Sequence, residues 1–179
     1  MRSSGILLPV ASLPGNYGIG AFSKEAYKFI DFLKAAGQKY WQILLLGPTG
    51  YGDSPYQSFS TFAGNPYFID LDTLIEEGLL KKSEVNKYDW GNNGSYIDYE
   101  KIWLSRFKVL KIAYERSGVE KKSAYKKYIK ENAFWLDDYA LYMAVKNKFG
   151  GVSFIEWDED IRRRNPEAIA KYQKELKSR

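Results

Sequence analysis

The chain has 179 residues, carries a formal charge of +5 and contains neither cysteine nor histidine. The missing cysteines exclude a disulfide framework and thiol chemistry, and the missing histidines exclude serine–histidine–aspartate triads and most zinc sites. With 45% apolar residues the chain can bury a hydrophobic core, and its length fits one domain or part of a larger one.

The positive charge is spread over predicted helices between residues 101 and 179. Nucleic-acid binding requires such charge on one face, so we expect a solvated helical surface and no nucleic-acid partner. The apolar run Ile6–Ala11 is interrupted by Pro9 and is too short for a signal sequence or a membrane span. We therefore expect a soluble cytoplasmic protein without a membrane partner.

The first 46 residues predict a strand, a helix and a second strand. Gly5–Val10 and Tyr40–Leu46 are nearly continuous apolar runs, which is typical of parallel strands covered on both faces. Between them, Ser23 can cap a helix that Gly37 ends. The helix has apolar residues at the helical period: Ala26, Phe29, Ile30, Leu33 and Ala36. We predict that the two strands are adjacent, parallel and joined by this helix.

A segment dense in glycine, proline and aromatic residues follows the second strand. It runs from Gly47 to Asp70, and we call it the aromatic segment. It leaves the carboxyl end of that strand, the end where ligands bind in α/β barrels and open α/β sheets. Ordering the segment costs about 1 to 2 kcal/mol per residue in backbone entropy, so its aromatic side chains must pack against something. Two interpretations remain open, a packed connection and a ligand-binding loop.

Beyond this segment the pattern is mainly helical. We expect a short extended piece at Tyr67–Leu71, and a brief helix with a capping box of Thr73 and Glu76, ended by Gly78. Residues 86–95 are predicted to be a loop. Asp98 then caps a helix closed by Gly118, with one face formed by Tyr99, Ile102, Trp103, Phe107, Leu110 and Tyr114.

The last third of the chain predicts three more helices. A lysine-rich helix from about Lys121 leads into a second helix that Gly150 and Gly151 stop, and its apolar positions are Trp135, Tyr139, Tyr142, Met143 and Phe149. A short extended run is expected around Phe154. Asn165 and Pro166 open a final helix with Ile169, Tyr172 and Leu176 facing inward. Two or three strands cannot close a sheet, and a barrel needs eight βα units and about 250 residues.

The composition of the aromatic segment favours a carbohydrate ligand over a nucleotide. Neither of two glycine-rich phosphate-binding patterns is present. The sequence around Gly50 and Gly52 lacks the lysine of G-x-x-x-x-G-K-[ST] and the third glycine of G-x-G-x-x-G. Tyrosine rings offer an apolar face to the C–H groups of a sugar. The side chains of Ser54, Gln57, Ser58 and Asn65 can hydrogen-bond its hydroxyls.

Hydrolysis or transfer of a glycoside needs two carboxylates flanking the scissile bond. Asp70 and Asp72 are candidates, but residues at this place more often face solvent or cap the following helix. Asp137 and Asp138 are neighbours on a helix and diverge by about 100°, so they cannot both address one ligand. Asp53 precedes Ser54-Pro55 and fits an Asx turn better than catalysis. The residues therefore predict a sugar-binding surface without a convincing catalytic pair.

Several long motifs resemble the amino-terminal part of the 4-alpha-glucanotransferases, also called amylomaltases or disproportionating enzymes, of glycoside hydrolase family 77. The motifs are Gly5–Pro9 (GILLP), Ser12–Gly20 (SLPGNYGIG), Tyr40–Gln42 (YWQ) and Gly47–Tyr67. Weaker similarity continues through Asp98-Tyr99, Trp135–Ala140 and Trp157. Leu45 departs from the family, which usually has proline there.

The resemblance implies an α/β fold, namely the amino-terminal part of a (β/α)8 barrel. The first two βα units would be followed by a mostly helical insertion, leaving the barrel incomplete within this chain. Residues 1–70 would form the first βαβ unit with the aromatic segment, and residues 71–179 the insertion. The implied reaction is a retaining transfer of α-1,4-glucan segments between maltooligosaccharides, with no metal or organic cofactor.

The resemblance also implies particular site residues. Those that match the loop lining the family's substrate cleft are Ser54, Tyr56, Gln57, Ser58 and Asn65. Tyr51 matches an aromatic residue of a second glucan-binding groove, and Trp103 stands at the aligned position of its partner. The family's catalytic carboxylates lie beyond Arg179, so no catalytic residue is assigned here. The alternative is a non-catalytic glucan-binding module that uses the same surface.

Overall fold

The computed structural model describes residues 2–50, 52–91 and 94–176. The chain divides into two compact units, Met1–Val119 and Glu120–Arg179. The first unit holds two β-strands and four α-helices among these described residues, and the second holds three α-helices. None of the helices formed by the described residues combines the length and apolar character that crossing a bilayer needs.

The two strands of the first unit form a parallel pair, as the sequence predicts. Strand β1 (Gly5–Leu7) pairs with β2 (Tyr40–Gln42), with Ile6 opposite Trp41. Helix α1 (Lys24–Ala35) connects them, and the Ser23 hydroxyl caps it by accepting a hydrogen bond from the Glu25 N–H at 3.2 Å. The predicted βαβ unit is therefore confirmed.

Both strands are shorter than the apolar runs suggest. Pro9 lacks an N–H group and cannot continue the ladder, and Val10–Ser12 form a 3-10 helix. Within the part of the chain that the structure describes, strand β2 therefore has no pairing partner beyond Gln42, the residue opposite Leu7. The predicted burial on both faces is wrong for this chain, since Leu7, Tyr40 and Leu45 are exposed. Two strands without further neighbours leave these faces uncovered in the described residues.

The end of the aromatic segment differs from the extended piece predicted at Tyr67–Leu71. Pro66–Phe68 form a 3-10 helix, with proline at its first position, where a missing N–H costs nothing. Helix α2 (Leu71–Glu76) is capped by the Asp70 carboxylate, which accepts a hydrogen bond from the Thr73 N–H at 3.0 Å. The predicted capping box of Thr73 and Glu76 is therefore wrong by one turn. Helix α3 spans Lys82–Val85.

Helix α4 (Tyr99–Ser117) begins and ends where its capping signals predict. Asp98 caps it, and Gly118 adopts the left-handed conformation that ends it. Its buried face differs from the prediction, because Trp103 and Tyr114 are exposed. The buried positions are Ile102, Ser105, Arg106, Val109 and Ala113. Ser105 and Arg106 belong to this buried stripe. The buried face therefore lies to one side of the face that the aromatic residues mark.

The core of the first unit lies between α4 and the loops that precede it. Its main cluster joins Tyr17, Ile19, Tyr67, Leu71, Leu80, Val85, Trp90, Ile102, Val109 and Ala113. A second cluster of Val10, Leu13 and Ala26 lies beneath α1. There the Trp41 ring packs edge-on against Phe29 at 5.1 Å, and its N–H donates to the Leu8 carbonyl. These clusters fix the two ends of the aromatic segment.

The second unit contains α5 (Ser123–Lys148), α6 (Glu159–Arg162) and α7 (Pro166–Glu175). The two helices predicted between Lys121 and Gly150 are one helix, because no glycine or proline interrupts residues 123–148. The predicted extended run at Phe154 is a 3-10 helix, Phe154–Glu156. Helix α7 is confirmed. The core of the second unit consists of Val145, Trp157, Ile161, Ala168, Tyr172 and Leu176.

Candidate functional site

Within the aromatic segment, the described residues between Leu46 and Asn65 form a loop, which we call the aromatic loop, and a hydrogen bond joins its two ends. The Asn65 N–H donates to the Leu46 carbonyl at 2.8 Å, which brings the end of the loop back to the second strand. The Asn65 side chain is buried, and its carbonyl oxygen accepts from the Tyr67 N–H at 3.0 Å. Asn65 therefore closes the base of the loop through its backbone N–H and its side-chain carbonyl oxygen.

A tight turn presents the most exposed aromatic residue of the loop. The Ser54 hydroxyl oxygen accepts from the Tyr56 N–H at 3.3 Å, and the Ser54 carbonyl accepts from the Gln57 N–H at 3.1 Å. Tyr56 is 70% exposed, although tyrosine usually buries much of its ring. The Ser54 hydroxyl hydrogen is not used in the bond to Tyr56, so it can still be donated to a ligand.

Ser58 ties the middle of the loop to its start. Its hydroxyl donates to the Ser60 carbonyl at 2.8 Å and accepts from the Ser60 N–H at 3.3 Å. A Cβ atom at Gly47 would lie 2.5 Å from the Ser58 oxygen, so only glycine allows this approach. Ser58 thus shapes the loop, and its hydroxyl has less capacity for a ligand than that of Ser54.

A small cavity of about 170 Å³ opens where both strands end. Its walls come from residues after β1, residues after β2, and Asp53, Asn65 and Tyr99. Asp53 has φ 57, a left-handed conformation that is uncommon outside glycine. Partial loss of solvent raises the pKa of its carboxyl group. Burial and then the Asp53 charge raise the pKa of Tyr67 to about 12.

Trp103 lies on α4 and is 48% exposed. Its ring packs edge-on against the Phe107 ring, with 5.3 Å between centroids. The Phe107 and Tyr67 rings are also in contact, with 5.8 Å between their centroids. A chain of ring contacts therefore connects Trp103 to the base of the aromatic loop. Tyr51, the other predicted residue of an outer groove, lies outside the described residues.

Two carboxylates at the end of the aromatic segment, those of Asp70 and Asp72, have structural partners. Asp70 caps α2, and Asp72 accepts hydrogen bonds from the Tyr17 hydroxyl at 2.6 Å and the Asn16 amide at 3.1 Å. In the second unit, Asp138 pairs with Arg164 at 2.8 Å. No set of three or more acidic residues converges as possible metal ligands within residues 2–50, 52–91 and 94–176.

Sequence reasoning missed two residues of this region, Arg106 and Tyr99. Arg106 lies on the buried face of α4 and donates to the carbonyls of Tyr67 and Ile69. Tyr99 forms a wall of the cavity beside Asp53. The signal for Arg106 was its position between Ile102 and Val109 at the helical period, where a charged residue is unusual.

Comparison with known proteins gives a consistent result. The family model of the 4-alpha-glucanotransferases, glycoside hydrolase family 77, matches residues 8–179. The 4-alpha-glucanotransferase of Clostridium butyricum is 52% identical over 168 residues, which is 94% of this chain and 34% of the relative. That of Thermus thermophilus is 44% identical over 172 residues, 94% of this chain and 33% of the relative.

A solved structure matches equally well. Amylomaltase from Streptococcus agalactiae, determined in complex with acarbose, superposes with a TM-score of 0.90 and 41% sequence identity. The match covers 99% of this chain and 36% of the amylomaltase chain. The present chain thus spans about a third of the length of the relatives that it matches. With a family model covering nearly all of it, the chain belongs to the 4-alpha-glucanotransferases of glycoside hydrolase family 77.

Proposed function

We propose that this chain supplies part of the glucan-binding surface of a 4-alpha-glucanotransferase, which transfers α-1,4-glucan segments between maltooligosaccharides. The observation that carries the proposal is the exposed Tyr56, held on a hydrogen-bonded turn of a loop that leaves the carboxyl end of β2. Ligands of parallel α/β folds bind at that end of the strands. Membership of the family gives the substrate class.

The chemistry of the turn suits a glucosyl unit. The Tyr56 ring can cover the apolar C–H face of the sugar, while the Ser54 hydroxyl donates to one of its oxygens. Gln57 is exposed beside them and carries both a donor and an acceptor. Asn65 and Ser58 support this surface by fixing the loop, and Trp103 offers a separate aromatic contact.

We infer that the transfer reaction uses carboxylates outside residues 1–179. A retaining transfer needs a nucleophile and an acid/base about 5 to 5.5 Å apart. Asp70 and Asp72 are occupied by a helix cap and by Tyr17 and Asn16. In this proposal residues 1–70 form the first part of a (β/α)8 barrel, and residues 71–179 form a helical insertion. Cytoplasmic location and the lack of a nucleic-acid partner remain predictions.

A second candidate function is a non-catalytic glucan-binding module. The hydrogen bonds that occupy the carboxylates of Asp70 and Asp72 favour it for this chain taken alone. Both functions use the same surface, so a binding experiment tests what they share. A transfer experiment separates them.

The binding experiment replaces Tyr56 by alanine in the 179-residue chain and measures affinity for maltoheptaose by isothermal titration calorimetry. Loss of a well-packed aromatic contact should cost on the order of 1 to 3 kcal/mol of binding free energy. Tyr27→Ala is the matched control, since Tyr27 is 71% exposed but lies on α1, outside the aromatic segment. Equal effects of the two substitutions, or unchanged affinity in Tyr56→Ala, would contradict the proposed surface.

A further inference from the structure

Arg106 is buried in the core of the first unit, and its hydrogen bonds within the described residues go to backbone carbonyls, not to a carboxylate. Only 1% of the residue is exposed. Its guanidinium donates to the Tyr67 carbonyl at 2.8 Å and to the Ile69 carbonyl, and its Cζ lies 6.0 Å from the centre of the Trp90 ring. Burial lowers its pKa to about 10, so the group stays protonated at neutral pH.

A contribution to folding stability does not by itself explain an arginine at this buried position. Its Nε is buried and has no hydrogen-bond partner among the described residues. A buried charge costs desolvation, and apolar side chains of similar volume often replace one without loss of stability. Its neighbours about one turn away in the buried stripe, Ile102 and Val109, are aliphatic. The two carbonyls that it holds therefore explain its presence better than core packing does.

Those carbonyls belong to the base of the aromatic loop. Leu46 and Asn65 close the loop, and the Asn65 side chain holds the N–H of Tyr67. Arg106 donates to the carbonyl of the same Tyr67, so both backbone polar groups of that residue are held. The guanidinium is thus a direct link between α4 and the turn that ends the loop.

Trp103 precedes Arg106 by about one turn on the same helix. Its ring contacts reach Tyr67 through Phe107. Any shift of α4 relative to Tyr67 would therefore change the separation between Trp103 and the loop that carries Tyr56. Two contacts to one chain-like ligand reinforce each other only when their separation is fixed, because the second contact then forms at high effective concentration.

We propose that Arg106 is a positioning residue that fixes Trp103 and the aromatic loop relative to one another, so that a long glucan meets both contacts at once. This inference rests on the proposed function. It assigns to Arg106 the preference for long over short glucans, whereas the individual contacts to a single glucose unit do not depend on it. Arg106 itself touches no ligand in this arrangement.

The test compares maltose with maltoheptaose as ligands of the 179-residue chain and of its variants Arg106→Lys and Arg106→Met. Lysine keeps the charge without the planar fork, and methionine keeps most of the volume without the charge. Arg116→Lys is the matched control, because Arg116 lies on the same helix and donates to the Leu79 carbonyl at 2.8 Å, away from the aromatic segment. Circular dichroism establishes that each variant is folded.

We expect both Arg106 variants to raise the dissociation constant for maltoheptaose about tenfold and that for maltose less than about twofold. Amide hydrogen exchange at Asn65, Tyr67 and Phe68 should become faster in these variants and stay unchanged in Arg116→Lys. A general loss of stability in the Arg106 variants would instead weaken the binding of both sugars equally.

Several results would overturn the inference. If a folded Arg106 variant keeps the full preference for maltoheptaose, or loses both sugars equally, Arg106 does not set that preference. If exchange at the loop base does not change, the link to α4 is not what holds it. If the unmodified chain binds neither sugar, the proposed function itself fails and the inference fails with it, which distinguishes that case from the others.

Discussion

Asp53 shows how a single residue can look catalytic and still have another role. Its carboxyl group lies at the cavity where both strands end, and partial loss of solvent raises its pKa. Its backbone, however, is left-handed, and its N–H closes a turn to the Gly50 carbonyl at 3.1 Å. Asp and Asn tolerate this conformation better than other residues with a Cβ atom. The turn therefore accounts for the residue type without catalysis.

Asp53→Asn should leave the chain as stable as the unmodified protein or slightly more so. Asparagine accepts the left-handed backbone and removes a carboxylate whose charged form is disfavoured there. Asp53→Val should lose about 1 to 2 kcal/mol, because a β-branched side chain is strained at positive φ. Urea unfolding monitored by tryptophan fluorescence measures both values. Equal stability of the two variants would show that the backbone at residue 53 imposes no such strain.

Glu84 makes the folding stability of the first unit depend on pH in the acidic range. Arg116 donates to both oxygens of its carboxylate, at 2.8 and 3.1 Å, and the Lys81 N–H adds a third bond. These bonds, with that of Arg116 the largest cause, lower the pKa of Glu84 to about 2. Because the folded pKa is below the value of about 4.3 for an unperturbed glutamate, the stabilisation is complete above that pH and disappears as the pH falls toward 2.

Glu84→Gln should therefore lower the thermal unfolding midpoint at pH 6 but not at pH 2. The difference between the unmodified chain and the variant should shrink steadily from about pH 4.3 downward. Glu77→Gln, which removes an exposed carboxylate at the end of α2, serves as the control. A difference that stays constant across this range would mean that the Glu84 charge does not contribute to stability through Arg116.

At the scale of elements, capping residues predicted helix ends better than apolar patterns predicted helix faces. Ser23, Asp98 and Asn165 each precede a helix that begins where the sequence indicates. The face of α4 was mispredicted because Arg106 is buried and Trp103 is exposed. Burial of a charged residue depends on carbonyls that are distant in sequence, and a helical period carries no information about them.

The contact between two loops of the first unit gives a prediction at this scale. Gly18 has φ +75, and a Cβ atom there would lie 2.0 Å from the Trp90 carbonyl oxygen. The loop of residues 13–20 can therefore approach the Trp90 backbone only through glycine. This approach brings Tyr17 against the Trp90 ring, with 5.7 Å between centroids, within the main core cluster.

Gly18→Ala should lower the free energy of unfolding by at least about 2 kcal/mol, from overpacking and from strain at positive φ. Gly64→Ala is the matched control, since nothing lies within 4 Å of the added Cβ atom there. We expect that control to change stability by less than about 1 kcal/mol. Urea unfolding curves decide the comparison, and a Gly18→Ala variant as stable as the control would contradict the close approach of the two loops.

At the scale of the whole molecule, the resemblance of long motifs identified the family, and residue chemistry identified the aromatic loop. The sequence placed Ser54, Tyr56 and Gln57 on one surface, and the structure puts them on one turn. Composition could not reveal that Asn65 and Ser58 are used to close and shape the loop, because those bonds depend on the Leu46 carbonyl and on the close approach of Gly47.

The exposure of the apolar strands is also a property of the whole molecule. Continuous apolar runs predicted parallel strands covered on both faces, yet Leu7, Tyr40 and Leu45 are exposed. The chain spans about a third of the length of its relatives, and its two strands pair only with each other in the described residues. Exposed apolar faces of this kind mark contact surfaces, in agreement with the proposed place of residues 1–70 in a larger barrel.

We expect this chain to bind glucan without carrying the transfer chemistry. The most direct measurement incubates the purified chain, in a preparation that binds maltoheptaose, with maltotriose and separates the products by chromatography. We expect neither glucose nor longer maltooligosaccharides to form, since a retaining transfer needs a carboxylate pair about 5 to 5.5 Å apart. Sustained formation of both products, abolished by Asp53→Asn or Asp70→Asn, would contradict this expectation and place the catalytic residues within this chain.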